Sequence, residues 1–269
     1  MKSSKEVQID NKLIEMVEAY NLSGSALKGL KLLLENKEIQ ALQEFANKVS
    51  ISRLGYNDHG PVHMRTVTQS AILMMDLLRS AGIKTTIETD NCGNFEDSLL
   101  AVMLSSMLHD IGMSMGRQNH ELHSTILACP IIDSILSEVY ESLHKRVVVR
   151  SVALEGIAGH MGTISVSSLE AGIVQIADGL DMTKGRARIP IAMAHPPRVG
   201  HIHQYSANSI EDVCIKAGTE KPWRIDVYMS SEVGLFQVEE VLLHKIAGSS
   251  AKQHIELYAT VDSNERQYL

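Results

Sequence analysis

The stretch LSSMLHDIGMSMGRQNHELHS, residues 104–124, ends an apolar run on the adjacent pair His109-Asp110 and places His120 and His123 shortly after it. The run itself, EDSLLAVMLSSML (96–108), reads as a strongly apolar helix, and Gly112 is a stop signal just beyond it. An imidazole beside a carboxylate at such a point can be a polar stop with a C-terminal cation, or it can offer two ligands to one cavity. The rest of the chain decides between them.

Helical periodicity fills the sequence on both sides. Residues 25–49 form an amphipathic pattern in two pieces, and Pro61 is placed to open a helix over 61–79 with His63 on its inward face. AGIKTTIETDNCGN (81–94) reads as an exposed connection. HELHSTILA (120–128) resumes a helix, Pro130 opens another to about 144, and residues 147–159 are helical again up to His160. SSLEAGIVQIADGLDM (167–182) closes the set, with Ser167 or Ser168 as N-cap. The character changes after Arg188: IPIAMAHPPRVGHIHQYS (189–206) carries three of the six prolines and reads as a linker. Beyond it VCIKA and WRIDVYMS read as strands, GLFQVEEVLLHKI as an amphipathic helix and HIELYATVD as a last strand. The expected fold is mainly α: a helical bundle over 1–190, with N-terminal helices 1–50 packed on it, and a linker plus small α+β (ββαβ) appendage over 191–269.

Composition bounds the function. With 269 residues, 44% of them hydrophobic but only 4% aromatic, the core is built from aliphatic residues and Met, which suits helix packing. A net charge of -7 argues against a general nucleic-acid or acidic-membrane binder and leaves room for a small anionic substrate. The three cysteines have neither CxxC spacing nor a disulfide framework. No stretch of about 18 apolar residues suggests a membrane span, and the N-terminus lacks a signal-peptide core, so a cytoplasmic location is expected. Neither GxGxxG nor GxxxxGK[ST] occurs, which removes support for Rossmann and phosphate-loop chemistry.

His63, His109, Asp110, His123, His160 and Asp178 all fall at, or close to, an expected helix end or inward face. Imidazole nitrogens and carboxylate oxygens are the donors that divalent ions bind, and a bundle can gather them from distant helices. The order His63, His109-Asp110, Asp178, within HxxxV (63–67), LHDIG (108–112) and ADGLD with a trailing KGR (177–186), resembles the HD superfamily of metal-dependent phosphohydrolases over roughly residues 55–190. HELHS and AGHMG resemble the extra ligand positions of its two-metal subgroup, which includes the HD diadenosine tetraphosphate hydrolases. The chain departs from several HD branches at Met113, where a Lys is common, and it lacks the GYP signature of the cyclic-di-GMP enzymes.

The resemblance implies an HD-type bundle with metal ligands His63, His109, Asp110, His123, His160 and Asp178, His123 being preferred over His120. It implies hydrolysis of a phosphate ester or phosphoanhydride of a nucleotide-like small molecule through metal-activated water, with one or two divalent ions (Fe, Mn, Co, Ni, Zn or Mg). Asp110 would bridge the ions and hold the water. Lys184 and Arg186 would neutralise phosphate charge, with Arg117 a second choice. The alternative is an HD-fold nucleotide- or metal-binding sensor with little turnover, signalling through the C-terminal segment. No nucleic-acid polymer or membrane is expected as partner, and the edges of the small sheet suit a homodimer contact. His59 is expected at the site entrance or in the YNDHGP loop. The pair His201-x-His203 would put both rings on one side of an extended stretch, as a metal clip needs, but without a Cys or carboxylate at ligand spacing it reads as loop or strand surface. His144, His195, His244 and His254 show no partner pattern.

Overall fold

The computed structural model describes residues 2–184 and 202–269. The helices α1 (Ser4–Glu18), α2 (Ser25–Glu35) and α3 (Lys37–Lys48) lead through a π-helical turn to α4 (Pro61–Ser80). A single turn α5 (Thr86–Thr89) precedes α6 (Phe95–Leu108), α7 (His120–Val139), α8 (Leu143–Gly159) and α9 (Leu169–Leu180). After α10 (Ile202–Ser209) come β1 (Ile210–Lys216), β2 (Trp223–Met229), α11 (Leu243–Ala247), β3 (Ile255–Val261) and β4 (Asn264–Gln267).

Every residue of α6 and of α9 is buried, so these two helices form the axis of the bundle. Helix α6 packs on α4, α8, α2 and α9, and its start is fixed by a capping box between Asn94 and Asp97. Ser168 is the N-cap of α9, accepting from the Ala171 amide at 3.1 Å. Buried charges stitch the outer helices to this axis. Arg65 of α4 donates to Asp10 of α1 at 2.6 Å and to Gln43 of α3 at 2.9 Å. Glu96 of α6 accepts from the Gly24 and Ala26 amides at the start of α2. Glu170 of α9 accepts from the Thr86 and Ile87 amides, so the connection 81–94, expected to be exposed, instead buries Thr85 and Ile87.

Helix α7 corrects another expectation. It runs unbroken through Pro130, which was read as the start of a separate helix. Pro130 and Ile126 both lie on the exposed face, so the carbonyl that loses its partner faces solvent. Among the described residues, α7 is the one helix long and apolar enough to cross a membrane. In the bundle its buried positions include Ser124, Ala128, Ile132 and Leu136, and it packs on α8 and α2.

The C-terminal segment is a mixed four-stranded sheet in the order β1-β2-β3-β4, with β2 and β3 parallel and the other pairs antiparallel. It has one strand more than expected. Asp262 and Ser263, with φ of 45° and 74°, make the tight turn that brings β4 back along β3. Buried Ile225, Val227, Leu257 and Ala259 join one continuous core with the helices. The buried Trp223 donates its indole N–H to the Met74 carbonyl of α4 at 2.8 Å, which fastens the sheet to the bundle. Of the residues singled out in the sequence, Arg186, His195 and His201 lie outside the described residues, as do 189–201 of the expected linker; its last five positions, 202–206, are instead helical, within α10.

Candidate metal centre

The centre forms where helix ends converge. His63 sits in the first turn of α4, which opens on Pro61; His109 and His160 cap the C-termini of α6 and α8. Asp110 follows His109 into a 3-10 turn, His120 begins α7, and Asp178 lies near the end of α9. All six are buried. Gly112 makes the convergence possible, because a Cβ there would stand 2.1 Å from the His120 carbonyl oxygen and 2.5 Å from the Ser124 amide. Only glycine lets the turn after Asp110 lie directly against α7.

Asp110 organises the group. Its Oδ2 lies 3.3 Å from His63 Nε2 and 3.4 Å from His109 Nε2, while its Oδ1 lies 3.2 Å from His120 Nε2 and 3.3 Å from His160 Nε2. Asp178 Oδ1 completes the first pair, 3.2 Å from His63 Nε2 and 3.6 Å from His109 Nε2.

The outer nitrogens of the four imidazoles are all engaged. His109 Nδ1 is 2.9 Å from the Ser106 carbonyl, His120 Nδ1 3.0 Å from the Arg117 carbonyl and His160 Nδ1 2.7 Å from the Ile157 carbonyl. His63 Nδ1 instead faces the carboxylate of Asp181 at 2.6 Å. A carbonyl only accepts, so Nδ1 carries the proton in these rings and Nε2 offers its lone pair to the interior. Those inward nitrogens stand in close pairs, His63 to His109 at 3.2 Å and His120 to His160 at 3.1 Å. Converging lone pairs, buried carboxylates and occupied outer nitrogens are the donor arrangement that a divalent metal ion needs. The clustered His and Asp side chains can hold one.

Neighbouring groups keep both carboxylates in their charged form. Burial alone would raise the Asp110 and Asp178 carboxyls, yet both stay well below the usual carboxylate range, Asp110 chiefly through His109 and Asp178 chiefly through Lys245. Burial pushes the His160 imidazole down to about 4, which keeps its lone pair free. His109 differs: burial opposes its charged form, but Asp110 and Asp178 raise it overall.

The structure thus brings together His63, His109, Asp110, His160 and Asp178 as the sequence suggested. It places His120 in the cluster where His123 was preferred. The two are on successive sides of the first turn of α7, and among the described residues His123 belongs to none of the metal-capable groups, its Nδ1 being buried with no hydrogen-bond partner. Lys184 is exposed. Arg117, half-buried, brings its guanidinium to 3.4 Å from His120 Nε2. His59 Nδ1 lies 2.7 Å from the Asn57 carbonyl and 2.9 Å from Ser50 Oγ of the preceding π-helical turn, and its ring centroid stands 5.9 Å from that of His63. Two residues that contact the cluster went unread in the sequence. Asp181, the second acid of ADGLD, carried a signal in its spacing from Asp178; Lys245, whose Nζ lies 2.6 Å from Asp178 Oδ2, carried none.

No family model matches the chain. No solved structure matches it either. It is 32% identical over 133 residues to Ribonuclease Y of Clostridium novyi, an alignment covering 46% of this chain and 24% of that protein. It is 42% identical over 233 residues to the uncharacterized protein MJ1020 of Methanocaldococcus jannaschii, covering 87% of this chain and 88% of that protein. With so much of both chains aligned at that identity, this protein belongs to the same family as MJ1020.

Proposed function

We propose that the chain is an HD-type metal-dependent phosphohydrolase with a binuclear centre, cleaving a phosphate ester or phosphoanhydride in a nucleotide-like small molecule. The observation that carries this reading is the carboxylate of Asp110, whose two oxygens each face a different pair of inward imidazole nitrogens. One ion would be held by His63, His109, Asp110 and Asp178, the other by Asp110, His120 and His160. Divalent ions so held supply a water of lowered pKa and polarise a phosphoryl oxygen.

The chain's own residues do the rest. The Ser106, Arg117 and Ile157 carbonyls and Asp181 fix ring orientation through Nδ1, so the four Nε2 atoms need no rearrangement. Arg117 stands beside His120 with a planar guanidinium able to take two phosphate oxygens. Lys184 and Arg186, following Asp178 in sequence, are further candidates for neutralising substrate charge. A relative named as a ribonuclease keeps phosphodiesters among the bonds to be tried, while the net charge of -7 favours small substrates over a polymer.

The test is turnover of a panel of nucleotides, cyclic and linear dinucleotides and dinucleoside polyphosphates with added Mn(II), Co(II) or Zn(II). Metal-dependent release of product that disappears in Asp110→Ala supports the hydrolase. Tight nucleotide binding without turnover across the panel would replace it with a sensor.

A further inference from the structure

We infer that Lys245, carried by the C-terminal segment, is a positioning residue of the metal centre: its ammonium engages one oxygen of Asp178, so that an ion would be met by the other and a coordination position would stay open to water. The inference rests on the metal-centre part of the proposed function and not on hydrolysis.

The geometry is specific. Lys245 Nζ lies 2.6 Å from Asp178 Oδ2 and 2.6 Å from the His160 carbonyl oxygen, so one ammonium ties the α9 ligand to the end of α8. Asp178 Oδ1 is the oxygen that faces His63 and His109. The two oxygens of Asp178 are therefore divided, one toward the imidazoles and one toward the lysine. Lys245 is buried, and its stem runs past two glycines. A Cβ on Gly179 would lie 3.0 Å from Lys245 Cδ, and one on Gly162 would lie 3.4 Å from Lys245 Cα. The stem therefore packs directly on the α9 backbone at Gly179, and α11 lies in van der Waals reach of Gly162.

A buried ion pair is a poor device for stability alone, since well-packed apolar residues often serve as well or better. Its effect on a ligand is more distinctive. A carboxylate with both oxygens free can chelate an ion, whereas one oxygen saturated by an ammonium leaves monodentate binding. A fixed positive charge beside the ligand also weakens the ion's hold. Both effects favour an ion with an open position, as catalytic rather than structural sites require. The C-terminal segment, which the sequence suggested as an appendage, thereby becomes part of the centre.

The experiment compares full-length wild type, Lys245→Met and Ile246→Ala, the last removing a buried neighbour on α11 without touching Asp178. Each is titrated with Mn(II), following free ion by electron paramagnetic resonance and inner-sphere water by solvent proton relaxation. Lys245→Met is expected to bind Mn(II) roughly tenfold more tightly or better, with a lower relaxation enhancement per bound ion, because a repulsive charge is gone and Asp178 can chelate. Ile246→Ala is expected to melt earlier yet keep wild-type affinity and relaxation. Wild-type values in Lys245→Met, or the same change in Ile246→Ala, would overturn the inference. If Lys245→Met does not fold, Lys245→Gln is read by the same criteria. Wild-type protein that takes up no Mn(II) would overturn the metal-centre reading itself, a result distinct from failure of the lysine's role.

Discussion

His63 Nδ1 and Asp181 Oδ2 lie 2.6 Å apart, although 118 positions separate them in the chain. His109 and His160 rely on a backbone carbonyl of their own helix end, and His120 Nδ1 lies 3.0 Å from the Arg117 carbonyl and 3.2 Å from the neighbouring Glu121 carboxylate, so His63 is the imidazole aimed by a side chain distant in sequence. Asp181→Ala is expected to weaken divalent-metal binding by about 10- to 100-fold, the usual cost of losing a carboxylate behind a ligating histidine. Chelator competition measures this. Unchanged affinity would mean that α4 packing alone orients the ring.

The two histidines of HELHS separate cleanly. His120 Nε2 stands 3.2 Å from Asp110 Oδ1, whereas His123 Nδ1 is buried without a partner. His120→Ala is expected to lower the metal content per chain, and His123→Ala to leave it unchanged. Elemental analysis of both variants, purified side by side, checks the assignment.

Gly112→Ala tests the close approach behind the centre. The added methyl would fall 2.1 Å from the His120 carbonyl, a backbone atom that cannot simply rotate away. Overpacking of this kind costs about 1–3 kcal/mol or more. Lower stability in denaturant together with weaker metal binding is the expected result, because the turn holding Asp110 and the start of α7 must separate.

Glu96 provides the pH test of the fold. Burial pushes its carboxyl up, but hydrogen bonds from Ser23, Ala26, Ser25 and Gly24 prevail and hold it below its ordinary value of 4.5. A lowered folded-state pKa contributes stability that is fully present above pH 4.5 and is lost as pH falls through the folded value. Glu96→Gln is therefore expected to cost roughly 2 kcal/mol near neutral pH, as for hydrogen bonds to a charged group. The gap between the two proteins should narrow below pH 4.5, as read by urea melts at several pH values.

Much of this centre was legible because its residues sit where helices start and stop. Pro61, Gly112 and Ser168 mark those boundaries in sequence, and the order His63, His109-Asp110, Asp178 along them is what carried the family resemblance. The order of His120 and His123 was not legible. It depends on how the chain enters α7, through Asn119 at a φ of 54°, and helical spacing alone puts both histidines near one face. Pro130 misled for a related reason: the breaker rule is local, while tolerance of the proline depends on which face of α7 meets solvent. Strand β4 (Asn264–Gln267) is exposed at every position, so no alternation announces it in the sequence. Lys245 lay hidden in an ordinary amphipathic pattern, and only the packing of the sheet's crossover on α9 brings it to Asp178.

The most direct test of the proposed binuclear centre is metal stoichiometry by elemental analysis on untagged protein prepared without chelator, beside His160→Ala and Asp110→Ala. The account predicts close to two ions per chain in the wild type, about one in His160→Ala, which disturbs a single imidazole pair, and neither retained in Asp110→Ala, which faces both pairs. One ion per chain in both wild type and His160→Ala would contradict the bridging role of Asp110, and no ion even after reconstitution would contradict the metal centre as a whole.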